Sequence, residues 1–209
     1  MMNIELVILG FLWYQVIAIF GLSIGLHRYF SHRQFKVSNT FEVICLFLSM
    51  LAGSRSPIGW IGAHRMHHKY SDTWKDPHSP SYVGFWAVAF NQWELKNIPR
   101  SCVRDLYDNK IVMFFDKYWL YMHLVTSIVV LLLSIELFIV LIVSPYVLAF
   151  VGYGMFNALG HKDNKAVTNM FINILSAGEG WHNVHHNNPT TIKLNKYDLS
   201  GLIVQRFFL

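Results

Sequence analysis

The chain has 209 residues, of which 54% are hydrophobic and only 14% charged. Its mean hydropathy is +0.34. That balance excludes an ordinary soluble domain and a disordered chain, and fits one domain, residues 1–209, of an integral membrane protein. The net charge of +5 is mild, and no nucleic-acid motif accompanies it, so no nucleic-acid partner is expected. All the Lys and Arg residues lie within 27–118 and 161–209. Cys45 and Cys102 lack a C-x-x-C spacing, and reduced thiols are expected.

Residues 4–26 form the first apolar run, with Glu5 as its sole charge. At about 1.5 Å per residue the run is long enough to cross a hydrocarbon layer of roughly 30 Å. It lacks the basic start and cleavage site of a secretory signal. Gly21 and Gly25 make a small-xxx-small pair that would let another helix come close. The run continues into His27-Arg28-Tyr29-Phe30-Ser31-His32. On an ideal α-helix the two histidines sit about 140° apart. They reach one site only if the helix ends or bends between them, or else they serve two neighbouring ions.

Residues 41–53 are apolar but short for a span, and an in-plane or half-inserted helix is expected there. The basic block follows. It holds His64-Arg65-Met66-His67-His68, with Trp60 one turn earlier and Asp76-Pro77-His78 just after. Trp93, Pro99 and the charged run from Arg100 to Lys110 point to a partly helical cap on the membrane surface. Residues 119–160 hold one charge, Glu136, and fit two antiparallel spans, about 119–135 and 137–160. The turn is expected near residues 134–137, with Ser144–Pro145 as the alternative; in the first case Pro145 kinks the second span. His123 reads as interfacial.

Asn157 and His161 are four residues apart near the end of that span, which places them on one helix face. The chain then returns through Gly178-Glu179-Gly180-Trp181 into His182-Asn183-Val184-His185-His186. The tail from Asp198 to Leu209 reads as lying on the membrane. Three spans bring all the histidine motifs to one side. That side carries all the Lys and Arg, so it is cytoplasmic and the N-terminus is outside.

Histidines at i, i+3 and i+4 share one face of a helix and can converge on a metal ion. Chance yields about 0.03 copies of H-x-x-H-H in such a chain, and this sequence has two. His27, His32, His64, His67, His68, His161, His182, His185 and His186 make nine candidate ligands. That is too many for one structural zinc, which takes four, and suits two ions. Imidazole alone does not choose between iron, copper, nickel and zinc. A redox metal pair beside a membrane points to O2-dependent oxidation of an unactivated C–H bond. A non-redox metal-binding membrane protein is the reading from another class.

The three boxes, with Gly25-Leu26-His27-Arg28, Gly178-Glu179-Gly180-Trp181-His182-Asn183 and Asn157-Ala158-Leu159-Gly160-His161, resemble the membrane fatty acid desaturase superfamily, in its stearoyl-CoA or Δ9 branch. The resemblance implies an all-α membrane fold with about three spans and a cytoplasmic, histidine-rich helical cap; four spans are usual in that branch, and this sequence has room for three. It implies an oxidoreductase that introduces a cis double bond, at Δ9, into a long-chain acyl-CoA or acyl-lipid. Two non-haem irons would be held by the nine histidines, with Asn157 acting through a water. Electrons would come from a separate cytochrome b5 or ferredoxin. Trp60 would wall the acyl channel, and Asp76 and His78 would stand behind the ligands. A hydroxylase or ketolase of the same superfamily is the close alternative. Arg28, Arg65 and Lys69 read either as head-group contacts or as solvated charges.

Overall fold

The computed structural model describes residues 3–90 and 98–209; Trp93 lies outside the described residues. The long helices come first. Helix α1 spans Ile4–Ser31 and is capped by Asn3, whose side chain accepts from the Glu5 amide. Helix α2, Asn39–Leu51, is capped by Ser38. Helix α3, Pro57–Tyr70, starts with Pro57 in its first turn, where a missing N–H costs nothing, and is capped by Ser56. Helices α4, Lys110–Leu133, and α5, Ile135–Leu159, form a hairpin. The apolar run from residue 119 is preceded by helical turns from Lys110, because Asn109 accepts from the Ile111 and Val112 amides and starts the helix earlier.

The hairpin turns at Ser134. Its extended backbone breaks the helix, and its Oγ accepts from the Glu136 and Leu137 amides to start α5. α1, α4 and α5 are the helices long and apolar enough to cross a membrane among the described residues. Pro145 lies within α5, between two stretches of wide-turn π-helix, Ile139–Val143 and Phe150–Met155. The wider turn accommodates the amide that proline cannot donate. His123 sits mid-helix in α4, half-buried beside Tyr146, rather than at an interface.

The second half of α1, Ile17–Ser31, is also a π-helix and is almost wholly buried. α2 packs along it in the opposite sense. Tyr29 bonds Glu42, a Cβ on Gly25 would lie 2.8 Å from Cys45 Cβ, and one on Gly21 would lie 2.7 Å from the Ser49 amide nitrogen. α2 therefore runs back along the half of α1 that carries the histidines. Gly53, at φ +68°, closes the return. Both cysteines are buried free thiols.

The core is the inner face of α1 (Tyr14, Ile17, Ile24, Leu26) against Leu46 of α2 and Ile61 of α3. The opposite is true of α4, whose Val125, Ile128, Leu132 and Leu133 are exposed, as a lipid-facing helix requires. The cap is built from short pieces. After α5, Gly160 ends the helix, and His161–Lys162 (β1) pairs antiparallel with Lys165–Ala166 (β2) around Asp163 and Asn164, both at positive φ. Helix α6 is His182–Asn187 and helix α7 is Leu199–Phe207. The tail does not simply lie on a surface. Asp198 is fully buried and caps α7 through the Gly201 amide, and Phe208 packs on Phe35 and Phe41.

The close α1–α2 approach yields a test. Gly21→Val and Gly25→Val must push α2 away, costing about 1–3 kcal/mol each. Both should lower the thermal midpoint of the detergent-solubilised protein, measured by intrinsic fluorescence.

Candidate metal centre

Four chain segments deliver histidines to one end of the helices. The end of α1 carries His27 and His32. The His32 amide bonds the His27 carbonyl at 3.1 Å, an i→i−5 bond. The wide turn stacks residues five apart, so both rings reach the same place. α3 carries His64, His67 and His68, α6 carries His182, His185 and His186, and His161 begins β1. His161 therefore does not share a helix face with Asn157, because Gly160 has already ended α5.

The nine rings divide into two groups: His27, His32, His64, His68 and His185, and His67, His161, His182 and His186. Within each group the ligand atoms lie within 4.8 Å of one another. The H-x-x-H-H triplets do not converge on one point. On α3 the i and i+4 rings join the first group and i+3 joins the second; on α6 the assignment is reversed. Successive residues turn by about 100°, so i+3 and i+4 diverge across the face. Two such helices set side by side feed two adjacent points. His68 stacks on His186 across the divide, centroids 4.5 Å apart.

The spacing within each group fits a cation. Nε2–Nε2 distances are 3.0 Å for His27–His185, 2.9 Å for His32–His64 and for His68–His185, 3.1 Å for His67–His186 and 3.0 Å for His161–His182. Two imidazole nitrogens bound at right angles about 2.1 Å from one ion stand about 3.0 Å apart. The far nitrogens are held by carboxylates. His67 Nδ1 lies 2.8 Å from Asp76, His161 Nδ1 2.9 Å from Asp72, and His27 Nδ1 3.1 Å from Glu179. A proton kept on Nδ1 leaves the Nε2 lone pair facing inward. His67, Asp76 and His78 are also close enough to form a third, smaller set; His78 stacks on His67 at 4.1 Å.

Burial, and then neighbouring imidazoles, pushes His64, His67, His68, His182 and His185 well below their ordinary 6.5, and His186 to about 3. The rings are neutral and their lone pairs free at neutral pH. Burial pushes the Asp76 carboxyl up to about 7. For Glu179 burial acts in the same direction, but Arg28, His27 and Ser23 outweigh it and hold the carboxyl well below its usual range.

Glu179 belongs to a buried ionic network. Arg28 Nε lies 3.1 Å from its Oε1, Ser23 donates to the same oxygen, and the guanidinium NH2 reaches both Asp198 oxygens at 3.1 and 3.0 Å. Arg28 is thus neither solvated nor a head-group contact. Nor is Arg65, which holds Asp105 and the carbonyls of Phe30, Ser31 and Cys102. Asp72, Glu179 and Asp198 carry no role at the site in the sequence analysis. A signal was available for two of them: Asp72 follows His68 by four residues and Glu179 precedes His182 by three, in a chain with few carboxylates.

A cavity of about 460 Å³ lies against the first group. His64, Trp60, His78, Phe150, Tyr153 and Asn157 are in its walls. Trp60 stacks on the His64 ring at 5.2 Å. The other walls are mostly apolar, which suits an apolar ligand held against the centre.

Two outcomes follow. A histidine whose folded-state pKa is lowered resists protonation, so the unfolded chain binds more protons once the pH drops below 6.5. The metal-free protein should therefore unfold at a nearly constant temperature above about pH 8 and progressively earlier below 6.5, losing roughly 1 kcal/mol per pH unit for each such ring. Asp76 offsets this in part, because its raised carboxyl takes up a proton in the folded state as the pH falls through about 7. Asp72→Asn should weaken metal retention by about 10- to 100-fold, read as metal bound per chain after dialysis against a chelator.

Comparison with known proteins agrees with this geometry. The family model for fatty acid desaturases matches residues 5–199. The "sn-1 stearoyl-lipid 9-desaturase" of Synechocystis sp. is 31% identical over 192 residues, covering 85% of this chain and 60% of that protein. The "Acyl-CoA C20 Delta5-desaturase" of Anemone leveillei is 30% identical over 191 residues, 84% of this chain and 61% of that protein. The "Delta-9 acyl-lipid desaturase 2" of Arabidopsis thaliana is 28% identical over 230 residues, 95% and 70%. The chain thus spans about three fifths of the length of the first two relatives. With a family match over nearly its whole length and histidine groups built to hold metal, the chain belongs to the fatty acid desaturase family.

Proposed function

We propose that this chain is an O2-dependent fatty acyl desaturase that places a cis double bond, at Δ9, in a long-chain acyl-CoA or acyl-lipid. The observation that carries the reading is the pair of histidine groups, five and four, facing adjacent points beside an apolar cavity. The relatives named above are called stearoyl-lipid, acyl-lipid and acyl-CoA desaturases. Relatives named for position 9 and for position 5 both match, so the placement at Δ9 rests on the likeness of the histidine boxes to the Δ9 branch.

In this reading the nine histidines would hold two irons, and Asn157 would act on one of them through a water. Bound iron would supply the oxidation in which O2, two electrons and two protons take two hydrogens from the acyl chain, leaving an alkene and two waters. The chain's own residues do the rest. The cavity beside His64 excludes water from the alkyl segment. Trp60, fixed by stacking on a ligand, sets where the chain passes the centre. Asp72, Asp76 and Glu179 keep their histidines in one tautomer and orientation. A separate one-electron carrier of cytochrome b5 or ferredoxin type supplies electrons. The Lys and Arg distribution supports a cytoplasmic histidine cap and an outward N-terminus, and the chain's length suits one domain over 1–209.

The test is expression in a host that makes no unsaturated fatty acids, with total fatty acids analysed by gas chromatography–mass spectrometry. A new mono-unsaturated acid is expected, with its bond at position 9. His67→Ala and His185→Ala each remove one ligand from a different group, and either should abolish the product. A hydroxy acid in its place would favour the hydroxylase. Purified protein that carries zinc and consumes no oxygen would overturn the redox reading.

A further inference from the structure

The segment from Thr168 to Ala177, between β2 and the Glu179–His186 loop, shows two faces. Ile172, Asn173 and Ser176 point inward and are buried. Phe171 is 97% exposed, Ile174 65% and Met170 47%. Singly exposed apolar residues are common, but three on one face of a short segment are not.

Its position explains them. The Leu175 carbonyl accepts from the Tyr14 hydroxyl, and a Cβ on Gly152 would lie 2.5 Å from that oxygen. Tyr14 sits near the middle of α1. Gly152 lies seven residues before the end of α5, roughly 10 Å along the helix. The segment therefore sits below the ends of the spans, alongside them. Its backbone is furnished for an apolar medium. Tyr153 Oη lies 3.2 Å from the Ser176 carbonyl, Ser176 Oγ bonds the Ile172 carbonyl at 3.0 Å, Ser200 Oγ bonds the Ala177 carbonyl at 2.8 Å, and Asn169 Oδ1 accepts from the Phe171 amide. A loop in water would leave such carbonyls to solvent; irregular backbone at membrane depth must find partners in the protein. The exposed face also continues the apolar surface of α5, where Val147 is 56% exposed and Val151 and Leu159 about as exposed as Met170.

We infer that residues 168–177 are a lipid-inserted lip: Met170, Phe171 and Ile174 enter the head-group and acyl boundary of the bilayer beside α1 and α5. The lip leads directly into the loop that carries Glu179 and His182. It thus fixes the histidine cap to the membrane surface by a contact separate from the three spans, whatever chemistry the histidines perform.

Single cysteines at Phe171→Cys and Ile174→Cys, labelled with the fluorophore NBD, test this in phosphatidylcholine–phosphatidylglycerol liposomes. Cys45 and Cys102 are buried and stay unlabelled. Leu132→Cys on the exposed face of α4 and Thr190→Cys on the exposed cap are the references. At 171 and 174 the emission should be several-fold brighter than at 190, quenched by doxyl-labelled lipid as at 132, and insensitive to aqueous iodide. Iodide quenching equal to that at 190 would place the segment in water. Shielding from both quenchers would mean that protein, such as a second copy of the chain, covers it. Either result overturns the lip. The variants replace exposed side chains, and a melting temperature matching the parent confirms the fold.

Discussion

Nine imidazoles packed with their Nε2 atoms 2.9 to 3.1 Å apart are the constraint on which this structure turns. Two inward lone pairs at that distance repel unless one ring keeps its proton on Nε2 and donates to the other, and protonation of both would set cation against cation. Burial closes the escape, because a charged imidazole cannot be solvated there. A cation between the rings satisfies all the inward nitrogens of a group at once, which N–H···N pairs cannot do. The fold holds the rings in this unfavourable arrangement by tying their outer nitrogens to Asp72, Asp76 and Glu179. The ligand set is thus preorganised at the expense of the metal-free state.

The two groups stand in different electrostatic surroundings. Behind His27, the carboxylate of Glu179 is matched by Arg28, which also holds Asp198. Behind His161 and His67, Asp72 and Asp76 have no Lys or Arg partner among the described residues; Asp76 accepts instead from the Asp72 and His78 amides. A carboxylate without a counter-cation makes its imidazole the better donor. The four-histidine group has the lower ligand count, which leaves it room for a further ligand.

The helices around this centre are shaped by where they must place it. A regular α-helix would separate His27 from His32; the π-helical half of α1 brings them together and at the same time presents Gly21 and Gly25 to α2. The antiparallel α2 then lets α3 start partway back along α1 and rise to the cluster. This path places the cavity between the α2–α3 connection and α5, beside His64. Arg28 ties the end of α1 to two segments from the last part of the chain, so the α6 ligands are fixed to the first helix by buried charge as well as by packing.

The sequence by itself determined the helical class, the three apolar runs, the hairpin turn at Ser134 and all nine histidines. Each of these rests on local information: hydropathy summed over a window, a capping serine, a repeated i, i+3, i+4 spacing. What only the tertiary structure decided was how those residues are shared. The division of each H-x-x-H-H between two points depends on two helices lying side by side, and no spacing within either one encodes that. The pairing of Asp72, Asp76 and Glu179 with particular histidines, and of Arg28 with Asp198 across 170 residues, likewise arises from contacts between distant segments. The i→i−5 winding of α1 and the break at Gly160 are local in form, but packing against α2 and the formation of the β1–β2 turn select them. A short apolar run such as Asn39–Leu51 reads the same whether it lies in the interface or enters the layer; its neighbours made the choice.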